Sequence, residues 1–273
     1  ENLIPDVGIP HGQETERLFS IGIDRWSKLF NPRQLLTLVT YVEIIQQAKA
    51  KIRAELGKNG LDRSNAIITY LALVLDRCVD RNCRMSIWHT ARASVERAST
   101  QHALNLTWNY PEINGSIGLW NSCADAFTSD YNTLCTYLGA PSNTNPTIPG
   151  FPSTTLRASQ ENLLLITSYL LLPPIPQISQ SSADSLFHIP DESVDAIITD
   201  PPYYGTIQYA ELSDFFYVWL RRSLRASFPD LFATLAVPKA EELVATPYRH
   251  GSKVAKPSPI LPAFGIWAHR QKC

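Results

Sequence analysis

The 273 residues, 44% apolar and 18% charged, suit an ordinary globular protein of one large or two small domains with a buried core. Lysine and arginine total 24 against 25 aspartates and glutamates, so no global basic field exists to hold a polyanion, and any nucleic-acid affinity must be local. The five cysteines form no CxxC pair and are odd in number, against both a zinc ribbon and a disulfide framework, and no apolar stretch approaches the roughly 18 residues of a membrane span.

In chain order, the start Glu1-Asn2-Leu3 has no signal-peptide layout, and the chain opens on Glu1 with Met85 as its one methionine. The expectations are a piece of a longer protein, a reducing cytoplasm and no membrane partner. Asn31-Pro32 reads as a helix start, because Asn31 can cap free N–H groups and Pro32 stands where a missing N–H costs nothing. The helix that follows should bury a stripe of Leu35, Leu36, Leu38, Val39, Val42, Ile45, Ala48, Ile52 and Leu56 and stop at Gly57 and Gly60. From Ser64 to about Cys83 a second helix is apolar on most sides, which predicts a place inside a helical layer.

Residues 76–102 carry Arg77, Arg81, Arg84, Arg92 and Arg97 against Asp76, Asp80 and Glu96, with Trp88 and two histidines among them. This is the best basic patch, readable as a phosphate-contacting face or as a solvated helix face with internal Asp–Arg pairs. Residues 115–118, Gly-Ser-Ile-Gly, read as a plain turn, and residues 141–152 are the clearest loop. An apolar helix over residues 161–172 ends at Pro173-Pro174. The expected division is a mostly helical region to 140, a Pro-rich loop and helix over 141–174, a core segment over 175–250 and an irregular Pro-rich tail from 251 to 273.

After the turn signal Pro190-Asp191, residues 194–199 form a short β-branched apolar run without strict alternation, the pattern of a strand covered on both faces of a parallel sheet. Asp200 falls at its carboxyl end, where ligands sit in open α/β sheets. Pro201 and Pro202 fix φ and lack N–H groups, so the Pro201 carbonyl can be held rigidly beside the Asp200 carboxylate. Two acceptors aimed at one point suit an exocyclic amino group: accepting both of its N–H bonds localises the nitrogen lone pair for attack on a sulfonium methyl. The amine loses its proton readily only after methylation, so a carboxylate of ordinary acidity suffices. Tyr203 offers an aromatic face to a base taken out of its stack. A helix over residues 212–224 should bury Phe215, Phe216, Val218 and Trp219, while Arg221, Arg222 and Arg225 project near its C-terminal dipole.

Two stretches then resemble one family. RWSKLFNPRQLL, from Arg25 to Leu36, and ITDPPYYGTIQYAELSDFFYVWLRRSL, from Ile198 to Leu224, followed by FPDLFATLAVPKAEELVA, resemble the DUF1156-containing adenine-specific DNA methylase family of bacteria and archaea. The resemblance implies an α/β fold with a Rossmann-like methyltransferase core, of which this chain holds a partial sheet, behind a largely helical N-terminal portion. It implies methyl transfer from S-adenosylmethionine to adenine N6 of a flipped base in DNA, without a metal, often within restriction or phage-defence systems that supply further subunits. By position, Asp200, Pro201, Pro202 and Tyr203 are the catalytic motif, Asp184 resembles the acidic loop that reaches the cofactor, and Tyr204 and Tyr209 are candidates for lining the base pocket. Core packing or capping is the alternative for the two tyrosines and Asp214.

The family's glycine-rich cofactor loop, Phe-x-Gly-x-Gly, is missing, since no GxG occurs in the chain. It is expected upstream of Glu1, and the tail beyond residue 251 lacks the later strands of the fold, as a truncated or frameshifted end would. Related tetrapeptides also serve enzymes acting on cytosine N4, RNA guanine N2 or glutamine, and a chain without the donor loop also fits a non-catalytic DNA-binding scaffold.

Overall fold

Local sequence dictates the first long helix. In the computed structural model, which describes residues 2–57, 60–139, 186–197, 207–240 and 242, the helices are α1 (Glu16–Ser20), α2 (Pro32–Leu56), α3 (Leu61–Arg81), α4 (Leu119–Gly139) and α5 (Tyr209–Leu224), with strands β1 (Ile87–His89) and β2 (Ser94–Glu96). The Asn31 side chain accepts from the Gln34 N–H at 2.8 Å, and the Gln34 side chain accepts from the Asn31 N–H at 3.0 Å. This reciprocal cap, with Pro32 at the first helical position, stabilises the start by about 1 kcal/mol. Gly57 ends α2 at φ 63°, a backbone state that glycine adopts at little cost.

The buried stripe of α2 is narrower and more polar than its sequence suggests. It runs through Gln34, Leu38, Val42, Ile45 and Lys49, spaced at helical periods. Leu36 is 68% exposed, because it lies two residues, or roughly 200°, around the helix from Gln34. Helix α3 begins at Leu61, earlier than Ser64, and buries Ile68, Ala72, Leu75, Cys78 and Val79. It is not enclosed on all sides, since Leu61 and Tyr70 are exposed.

Two compact units divide the chain: Glu1–Asp125 with Val194–Cys273, and Ala126–Ser193. In the first, α2, α3 and α5 pack on one another. An aromatic cluster fills this core: Phe30 stacks on Phe215 with centroids 5.8 Å apart and meets Trp219 edge-on at 5.3 Å, while Trp26 lies 6.3 Å from Phe215. All four rings are buried. Each enclosed ring contributes roughly 1.5–3 kcal/mol through burial, and each such pair about 0.5–1.5 kcal/mol more. In the second unit, the described residues are the distal part of α4 and a turn over residues 186–193, where the Ile189 N–H donates to the Leu186 carbonyl and the Ser193 hydroxyl to Pro190.

Three further expectations are corrected. Residues 82–102 do not continue an α-helix: β1 and β2 pair antiparallel with Trp88 opposite Val95, short 3-10 turns cover Thr90–Arg92 and Ala98–Gln101, and Ala93, at φ 47°, closes the hairpin. The arginines therefore do not share one helix face. Arg92 reaches Glu96 at 3.4 Å, and Arg84 donates to the Lys28 carbonyl at 2.9 Å. Arg221 and Arg222 do not project but are 5% and 8% exposed. Arg221 donates to the carbonyls of Phe232 and Thr234, and Arg222 to those of Asn2 and Ile4, so both tie neighbouring backbone onto the end of α5. Burial, then the neighbouring Arg221, lowers Arg222 to about 10. Arg225 is exposed, as expected.

The covered strand is the third correction. Residues 194–197 are irregular and exposed, Val194 by 50% and Ile197 by 60%; residues 198–199 lie outside the described part. An apolar run becomes a central strand only when neighbours accept its backbone hydrogen bonds, and among the described residues β1–β2 is the one sheet. The described chain is thus mixed and mainly helical, with a small antiparallel sheet. None of its described helices is long and apolar enough to cross a membrane.

Candidate functional site

Helix α5 follows the Asp-Pro-Pro-Tyr tetrapeptide closely, and its N-terminal end is fixed by three carboxylates. The Ala210 N–H donates to Glu242 at 2.8 Å. Glu211, 5% exposed, accepts from the Glu14 N–H at 2.9 Å. A Cβ at Gly12 would fall 2.3 Å from Glu211 Cδ, so a larger residue there would have to displace this carboxylate. Asp214, 1% exposed, accepts from the Val237 N–H and the Lys239 ammonium, each at 2.7 Å. Burial raises the Asp214 carboxyl above its usual range, with Lys239 and then Val237 opposing it. The capping alternative for Asp214 gives way here to a buried ion pair joining α5 to the segment after it.

Beside this braced end lies a cavity of about 170 Å³, lined by Tyr209, Leu212, Phe215 and Phe216 from α5 and by Met85, Ser99, His102 and Leu104 from the segment around the hairpin. It is smaller than the roughly 300–1,000 Å³ that encloses a drug-sized ligand, so it fits a planar fragment and not a whole nucleotide cofactor. Asp80 on α3 fixes the far wall: its carboxylate accepts from both the N–H and the hydroxyl of Ser99 at 2.9 Å. Burial raises Asp80, against the two Ser99 hydrogen bonds and the charges of Arg97 and Arg81. His102 follows at φ 50°.

Of the predicted site residues, Asp184, Asp200, Pro201, Pro202, Tyr203 and Tyr204 lie outside the described residues. Tyr209 opens α5, is 43% exposed and lines the cavity. Sequence reasoning did not single out Ser99, Glu211, Lys239 or Glu242, and gave His102 no role of its own. Only Glu211 had a local signal, as an acid in the first turn of a helix. Among the described residues no group of three or more His, Cys, Asp or Glu is arranged to hold a metal ion.

Nor do the described residues form a cradle for S-adenosylmethionine: the Gly115–Gly118 turn follows no strand, and residues 194–197 are exposed. Comparison with known proteins finds no matching family model, no matching curated protein and no matching solved structure.

Proposed function

We propose that this chain is part of an S-adenosylmethionine-dependent methyltransferase acting on adenine N6 in DNA, with Asp200-Pro201-Pro202-Tyr203 as its catalytic tetrapeptide on a Rossmann-like sheet. One observation carries the reading. The two stretches that resemble the adenine-specific methylases stand far apart in sequence, yet they meet through Trp26, Phe30, Phe215 and Trp219, as parts of one inherited core would.

The described residues suit the substrate side of such a reaction. Tyr209, six residues after Tyr203, brings an aromatic ring to an apolar cavity of base-sized rather than cofactor-sized volume. Stacking on such a ring stabilises an unstacked base by about 1–3 kcal/mol. In the tetrapeptide, the Asp200 carboxylate and Pro201 carbonyl accept the two N–H bonds of the amine, and Asp200 takes its proton once it is methylated. None of the described residues is assigned a role in binding the methyl donor.

The test is transfer of labelled methyl groups by the full-length protein to unmethylated duplex DNA, structured RNA and protein. N6-methyladenine in DNA, abolished by Asp200→Ala, is the expected result. Label confined to RNA or protein, or transfer undiminished in that variant, overturns the proposal.

A further inference from the structure

The cavity beside Tyr209 has an apolar interior and a cationic rim. On α5, Tyr209, Leu212, Ser213 and Phe216 recur at three- and four-residue spacing, so one helix face forms a wall. Met85 and Leu104, both buried, add apolar surface. The rim belongs to the short turn Ala98–Gln101. Ala98 and Ser99 of that turn line the cavity, as does His102, which ends it at φ 50°, and Arg97 begins it.

This turn is anchored. The buried Asp80 carboxylate on α3 accepts both the N–H and the hydroxyl of Ser99, each at 2.9 Å, so Arg97 and His102 stand exposed at the two ends of a fixed four-residue segment. The other arginines of the hairpin are engaged: Arg92 pairs with Glu96 at 3.4 Å, and Arg84 donates to the Lys28 carbonyl. The Arg97 guanidinium has no hydrogen bond or ion pair among the described residues, and Asp80, which its charge reaches, already spends both oxygens on Ser99. An exposed guanidinium with its donors unspent is a site for an oxyanion.

We propose that cavity and turn together form a nucleotide site, in which the base ring enters against Tyr209 while the phosphate meets Arg97, with the His102 imidazole as a second donor. The inference rests on the base-pocket reading above and adds the phosphate contact to it. The proportions agree, since about 170 Å³ holds one planar ring system and leaves sugar and phosphate outside, where Arg97 and His102 stand. A neutral apolar ligand would leave the guanidinium unused, and inorganic phosphate would leave the aromatic wall unused. A nucleotide, free or within a strand, engages both.

Calorimetric titration of the full chain with adenosine, adenosine 5′-monophosphate and a short single-stranded adenine-containing DNA tests this. The monophosphate, the DNA or both should bind about tenfold or more tightly than adenosine. Arg97→Gln should remove that advantage while leaving adenosine binding and the melting temperature unchanged, and Arg97→Lys should restore part of it. A gain confined to the DNA identifies a strand as the source of the phosphate, and for it Arg97→Gln should reduce the slope of log affinity against log salt by about one. Tyr209→Ala should weaken all three ligands. No binding by any of them, a phosphate advantage that survives Arg97→Gln, equal binding of all three, or binding indifferent to Tyr209→Ala would each overturn the site. The titrations contain no methyl donor, so their failure and a failure of methyl transfer are read separately.

Discussion

Residues 209–224 and 194–197 sit close together in sequence, and both carry apolar side chains, yet one is enclosed and the other lies in solvent. Helix α5 satisfies its own backbone hydrogen bonds and needs only a surface for its aromatic face, which α2 and α3 provide. A β-branched run cannot close its own bonds. It becomes a strand only beside other strands, and among the described residues none pairs with residues 194–197. The lesson is that an apolar pattern predicts burial reliably where the element is self-sufficient and only conditionally where it is not.

The sharpest way to break this comparison is Trp219→Ala, which should cost about 3–5 kcal/mol in urea unfolding by emptying the centre of the aromatic cluster. Trp219→Phe should cost less, since the buried indole N–H has no hydrogen-bond partner among the described residues and its removal forfeits none. A loss below about 1 kcal/mol for the alanine variant would mean that α5 is not enclosed as described.

Arg222→Met comes next, with an expected loss of about 2–3 kcal/mol as the carbonyls of Asn2 and Ile4 lose charged donors. Thermal melting at unchanged midpoint would place this arginine in solvent, as the sequence alone suggests. The same core has a pH signature. Burial is the leading cause raising Asp76, Asp80 and Asp214, so their contribution is fully present below the ordinary carboxylate value of about 4 and is lost as pH rises through the raised folded values. Asp24 and Glu112, lowered first by hydrogen bonds from Lys28 and Arg33, act in the opposite sense at exposed sites, where solvent screens them. The melting temperature should therefore fall from mildly acidic toward neutral pH, and Asp76→Asn should flatten that slope. A steady rise across the same window would contradict the burial of these carboxylates.

Smaller still is Asn31→Ala, expected to lose about 1 kcal/mol with the α2 cap. At the bottom stands Val194→Ser, which should change stability by less than about 0.5 kcal/mol, as exposed positions do. A loss of core size at Val194 would show that the run is covered after all.

The sequence by itself determined what the chain decides within a few residues: the Asn31-Pro32 start of α2 and its stop at Gly57, the Gly115–Gly118 turn and the aromatic helix α5. Tertiary structure alone decided that Arg221 and Arg222 turn inward, that Asp214 meets Lys239, and that Ser99 and His102 wall the cavity beside Tyr209. Caps, turns and helical faces are set by hydrogen bonds between near neighbours. The fate of a charge, a thiol or an apolar run depends on which distant groups surround it, and that choice is made only when the helices pack.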